Sequence, residues 1–212
     1  MTTKTESLPE RGQRNLYLAA LIAAAIVFSL GAYLTSKGRP LGWEATWFTA
    51  INGWSDGWYR FFVIATFFGS SWAAVLAVIG AFAARAYRLA WRLALTIVGA
   101  YGIAYLAKHL IGRARPAEIV ASVHVRVAET GMGFPSGHAT ISTVIAFTVW
   151  PYLPKRVRWV LVPLFVAMVC LSRLYLGVHF PLDIVGGVAI GVGAVSFVRV
   201  LPVAFRRLIR VS

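Results

Sequence analysis

Three short stretches of this chain concentrate side chains that are costly to keep among apolar neighbours. They are Lys108-His-Leu-Ile-Gly-Arg-Ala-Arg115-Pro116, then Pro135-Ser136-Gly137-His138, then Ser172-Arg173 followed by His179 and Asp183. Arginine forks match phosphate oxygens two at a time, and lysine adds a compact point charge. Lys108, Arg115 and Arg173 converging on one place would hold a dianion and repel a bare divalent cation. Each could equally snorkel to its own lipid headgroup. Ser136 and Gly137 stand where a helix begins, so unpaired backbone N–H groups there would face an anion, with Gly137 permitting close approach and Ser136 serving as cap or hydroxyl donor. A plain helix cap fits the same turn.

His179 and Asp183 are four residues apart, with Pro181 suited to the first turn of a helix. A carboxylate on one ring nitrogen fixes the tautomer and leaves the other nitrogen as a nucleophile. A capped helix beside a structural histidine is the alternative. Taken together, the groups form a set for phosphoryl transfer. His179 would attack phosphorus, giving a phosphohistidine. His138 would protonate the leaving oxygen and later deprotonate a water, while the cations and amides steady the equatorial oxygens.

The elements that must position these groups are membrane helices. Of 212 residues, 59% are hydrophobic and only 13% charged, against about 25% in a typical soluble domain, and the mean hydropathy is +0.73. Apolar runs predict six spans, at residues 16–34, 61–83, 89–110, 139–153, 157–176 and 182–204. The expected fold is therefore all-α: a single membrane-embedded domain over 1–212, a six-transmembrane-helix bundle with a polar N-terminal tail (1–15) and a basic C-terminal tail (205–212). The first run is too long for a signal-peptide core and no small-residue cleavage site follows it closely, so it reads as a retained helix. The fourth span is short and carries Thr140, Ser142, Thr143 and Thr148, which predicts that other helices enclose it.

Thirteen Lys and Arg fall on one side of these spans and eight on the other. The richer side is expected to be cytoplasmic, with both termini inside and the three polar stretches on the extracytoplasmic face of the cell membrane. Trp43, Trp47, Trp54 and Trp58 fall on one helical stripe between spans 1 and 2, which predicts an interfacial helix, although Gly53 would interrupt it. Gly187 and Gly191, with Ala189 and Gly193, offer small residues at four-residue spacing for close helix packing or a dimer contact. The formal charge of +14 sits in clusters between apolar runs, where anionic lipid is the partner and nucleic acid is not. Cys170 is the single cysteine, so no internal disulfide forms.

The pattern K-x6-R-P, then P-S-G-H, then S-R-x5-H-x3-D resembles the type 2 phosphatidic acid phosphatase superfamily, lipid phosphate phosphatases related to some haloperoxidases. This chain matches it at Lys108, Arg115 and Pro116, at Pro135 to His138, and at Ser172, Arg173, His179 and Asp183. The resemblance implies a six-helix core, His179 as nucleophile oriented by Asp183, and His138 as general acid and base. It also implies phosphate binding by Lys108, Arg115, Ser136, Gly137 and Arg173, with no metal and no cofactor. His109 and His124 match no motif position and are expected to be non-catalytic, and Glu118 and Glu129 are expected in solvent. The substrate would be a lipid phosphate such as undecaprenyl diphosphate, phosphatidylglycerol phosphate or phosphatidic acid. A lipid phosphotransferase would share the same site, and a transporter or scaffold would keep the bundle without the reaction.

Overall fold

The computed structural model describes residues 8–201. The basic tail at 205–212, the end of the sixth expected span and the start of the N-terminal tail lie outside those residues. Nine α-helices account for most of the described chain: α1 (Leu8–Thr35), α2 (Gly42–Asn52), α3 (Tyr59–Phe67), α4 (Ser71–Ala83), α5 (Tyr87–Ile111), α6 (Pro116–Ile119), α7 (Gly137–Val149), α8 (Lys155–Tyr175) and α9 (Pro181–Val200). Among the described residues, four helices are long and apolar enough to cross a membrane, namely α1, α5, α8 and α9. The pair α3 and α4 makes a fifth if it counts as one bent span.

That pair corrects the expectation of one continuous helix over 61–83. The two halves meet at 51°. At the break, a Cβ on Gly69 would lie 2.8 Å from the His138 carbonyl oxygen and 2.7 Å from a Val169 methyl, so only glycine lets the chain come this close. Ser70 then caps α4 by accepting from the Ala73 N–H at 3.2 Å. Close packing and a fresh cap explain why hydropathy ran on through a point where the helix does not.

The expected tryptophan helix also divides. α2 ends with Gly53 as its cap, and Trp58 belongs to a separate 3₁₀ turn, Asp56–Trp58. Asn52 enforces the stop: its side chain donates to the carbonyls of His124 and Tyr175 and accepts from the His124 N–H. All four indoles are nonetheless exposed.

As the polar content of its sequence predicts, α7 is enclosed. Thr140, Ser142 and Thr143 are fully buried, and the helix packs against α5, α8 and α9. Thr140 returns its hydroxyl to the carbonyls of Ser136 and Gly187 at 3.0 and 3.1 Å, so its polar group is satisfied inside the bundle. A Cβ on Gly187 would collide with the Ser136 carbonyl oxygen, and one on Gly191 would lie 2.6 Å from Thr143. Gly187 and Gly191 therefore serve the α7–α9 crossing within this chain, while Gly193 faces Ala24 and Leu21 of α1. The consequence for the site is direct: this crossing brings the N-termini of α7 and α9 together, and the Ser136 N–H donates to the Asp183 carbonyl at 2.8 Å.

Candidate active site

The three polar stretches meet where α5 and α8 end and α7 and α9 begin. A cavity of about 150 Å³ opens there, with Lys108, Arg115, Gly137, His138 and His179 on its wall. Both imidazoles thus face one space, although they come from chain segments 41 residues apart in sequence. Ser136, Arg173 and Asp183 stand buried around it.

Each side chain is held by a distinct local device. Lys108, in the last turn of α5, reaches the Met132 carbonyl at 2.6 Å. Arg115 lies before α6, with Pro116 starting that helix, and its guanidinium is spread over the carbonyls of Gly131 (2.9 Å), Val178 (2.9 Å) and Thr130 (3.2 Å). Arg173, in the last turn of α8, donates to the Thr66 hydroxyl at 2.5 Å. Ser136 is the N-cap of α7, accepting from the Ala139 N–H at 3.5 Å. Its cap role is therefore realised, and its hydroxyl hydrogen remains available.

His179 precedes α9. Its Nδ1 stands 3.4 Å from Asp183 Oδ2, and the same oxygen accepts from the Phe180 N–H at 2.9 Å. In the tautomer with the proton on Nδ1, His179 donates to Asp183 and presents a bare Nε2. Burial, reinforced by the charges of Arg173, Arg115 and Lys108, pushes the His179 pKa well below its ordinary value. The ring is therefore neutral, as a nucleophile must be.

Three acidic or basic residues had escaped the motif reading. Glu129, expected in solvent, instead lines the cavity. Its carboxylate pairs with Arg115 at 3.1 Å and with the Arg173 guanidinium. Burial alone would raise the Glu129 pKa, but the charge and hydrogen bond of Arg173 hold it down to about 2. The other two are Arg113 and Glu44, both essentially inaccessible and paired at 2.8 Å behind Asp183. No local signal marks Glu44, which lies 69 residues from its partner. His124 and His109 are not among the residues on the cavity wall: the first contributes its backbone to Asn52, and the second is exposed with its ring bonded to the Tyr105 carbonyl at 2.8 Å.

A family model of the PAP2 superfamily matches residues 89–207, more than half of the chain and all three polar stretches. The chain belongs to the PAP2 superfamily. Among curated PAP2-like relatives, it is 38% identical over 124 residues to the decaprenylphosphoryl-5-phosphoribose phosphatase of Mycobacterium tuberculosis, covering 57% of this chain and 67% of that one. It is 27% identical over 191 residues to the undecaprenyl-diphosphatase of Sulfolobus acidocaldarius, covering 88% and 91%. In fold, this PAP2 chain is similar to the crystal structure of the PAP2-type phosphatidylglycerolphosphate phosphatase of Bacillus subtilis, with a TM-score of 0.66 at 22% identity. That likeness covers 90% of this chain and 97% of the other.

Proposed function

We propose that this protein is a metal-independent lipid phosphatase that removes the terminal phosphate of a polyprenyl diphosphate through a phosphohistidine on His179. The observation that carries the reading is the single cavity shared by His179, His138, Lys108 and Arg115. Nε2 of His179 attacks phosphorus while Asp183 retains the Nδ1 proton bond. His138 protonates the leaving oxygen, then takes a proton from the water that hydrolyses the phosphohistidine. Lys108, Arg115, Arg173, the Ser136 hydroxyl and the Gly137 amide bind the equatorial oxygens. Lys108, Arg115 and Arg173 outnumber the one carboxylate beside them, Glu129, and that excess of positive charge supports a reaction without a divalent metal.

The polyprenyl substrate class rests on relatives whose names carry decaprenyl and undecaprenyl groups. The bundle reads as six spans, with α3 and α4 forming one bent span and α7 the enclosed sixth. α2 lies at the membrane surface on Trp43 and Trp47. The lysine and arginine asymmetry of the sequence supports cytoplasmic termini and an extracytoplasmic site.

The test is release of label from undecaprenyl diphosphate labelled on its terminal phosphate, using pure protein in detergent with a chelator present. Label is expected as inorganic phosphate at an undiminished rate. Label retained in the lipid fraction would instead make the protein a phosphotransferase, and activity that needs added magnesium would overturn the metal-free site.

Glu129 adds a second expectation. Its carboxylate bonds the two arginines that would bind phosphate, so an entering phosphate must compete with it. Glu129→Gln weakens that internal competitor, and inhibition by vanadate or inorganic phosphate is expected to tighten by about tenfold, the scale of one charge-assisted hydrogen bond. Unchanged or weaker inhibition would mean that Glu129 supports the anion site rather than filling it.

A further inference from the structure

Behind the candidate nucleophile, Asp183 belongs to a buried ionic cluster whose other two members, Arg113 and Glu44, occupy no specified motif position. Arg113 Nη1 donates to Asp183 Oδ1 at 2.7 Å and to Glu44 Oε1 at 3.2 Å, while Nη2 donates to Glu44 Oε2 at 2.8 Å. Glu44 also accepts from the Leu182 N–H at 3.0 Å and the Leu41 N–H at 3.1 Å, tying α2 to the first turn of α9. The Arg113 guanidinium lies 4.9 Å from the centre of the Phe180 ring, next to His179 in the chain.

Stability is a poor explanation for this cluster. Buried ion pairs repay their desolvation only with near-ideal geometry, and apolar replacements are often as stable. A lone arginine would already have neutralised Asp183. The second carboxylate shares that arginine, so two negative groups face one positive group and Asp183 keeps negative potential toward His179. That excess is useful at one moment of the reaction. As the Nε2–phosphorus bond forms and the phosphorus–oxygen bond to the leaving group breaks, the departing oxygen takes the electron pair and a proton from His138. The imidazole, still protonated on Nδ1, then carries positive charge against Asp183.

We propose that Arg113 and Glu44 are positioning residues: Arg113 pins Asp183 Oδ1 so that Oδ2 faces Nδ1 of His179, and Glu44 holds Arg113 and preserves the negative potential of Asp183. This deepens the phosphohistidine reading and depends on it. Glu44 lies outside the segment that matches the family model, residues 89–207, so the catalytic carboxylate is steered from the α2 surface segment.

The experiment compares wild type with Glu44→Gln, Arg113→Lys and Arg113→Met in detergent, with His179→Ala measured alongside. For Glu44→Gln, kcat is expected to fall about 10- to 100-fold, the usual scale for residues that orient a reacting group. KM and vanadate inhibition should stay within about twofold, because the phosphate-binding groups are untouched. Arg113→Lys should recover part of the activity lost in Arg113→Met, since one ammonium reaches one carboxylate but not both. Wild-type kcat in folded Glu44→Gln and Arg113→Lys would overturn the proposal. So would a kcat loss matched by equal losses in KM and vanadate binding, which would indicate a merely structural cluster. If Arg113→Met does not fold, Glu44→Gln decides, because it keeps the Arg113–Asp183 pair. Activity surviving in His179→Ala would instead sink the phosphohistidine reading, separately from any result at Arg113.

Discussion

Alanine at position 179 is expected to lower phosphate release by at least about 10⁴-fold, the scale on which loss of a covalent nucleophile acts. The remaining turnover would come from the cations and helix amides, which polarise phosphate without attacking it. No other imidazole can take over, since His138 is needed for proton transfer, His109 faces outward and His124 is held by Asn52 through its backbone. The neutral ring also sets a pH signature. Burial and the nearby cations hold the His179 pKa well below its ordinary value, so its protonation does not limit kcat/KM until the pH falls well under the usual histidine value of about 6.5. Phosphate release in detergent, with size-exclusion profiles and thermal unfolding as folding controls, reads both effects. A folded His179→Ala protein that still turns over at the wild-type rate would remove the nucleophile from the mechanism.

The second large effect separates two steps of the reaction. His138→Ala is expected to lower turnover by about 10²- to 10⁴-fold, as the loss of a general acid and base does. The form of the loss depends on the leaving group. A polyprenyl phosphate leaves as a weakly basic anion, its second pKa about 6, so it accepts the His138 proton without strictly needing it. An alkoxide leaving from a monoester does need it. With a diphosphate, therefore, His138→Ala should still be phosphorylated but should hydrolyse the intermediate slowly, accumulating an acid-labile, base-stable phosphoprotein. With a monoester, phosphorylation itself should stall. Rapid quench with labelled substrate distinguishes the two, and equal phosphoprotein levels from both substrates would contradict an acid role for His138.

The proposed phosphohistidine chemistry could be read from the sequence because the residues proposed to carry it are dense within each motif. His179 and Asp183 are one helical turn apart, and Ser136 to His138 open a helix, so local geometry already orients them. Hydropathy likewise located the long helices α1, α5, α8 and α9 to within several residues, since an apolar run is a property of neighbouring positions. The enclosure of α7 followed from its threonines. The bend between α3 and α4 did not follow from hydropathy, which averages across the short Gly69-Ser70-Ser71 interruption of the apolar run. The break comes from the approach of His138 and Val169 to Gly69, and those residues are distant in the chain.

Glu129 and Glu44 show the same limit for charge. A carboxylate in a polar loop reads as solvated, and Glu129 was expected to be so. Only the folding of α8 against that loop brings Arg173 to it and makes it part of an anion site. Glu44 sits beside tryptophans that suggest a membrane surface, yet its charge turns inward to Arg113, 69 residues away. Sequence thus determines the candidate reacting groups, the long apolar helices and their approximate ends, because spacing and hydropathy act over a few residues. Which charges cancel, which remain to do chemistry, and where a span must bend were decided by the packed bundle. Burial makes those choices energetically large, and burial exists only once segments far apart in the chain have met.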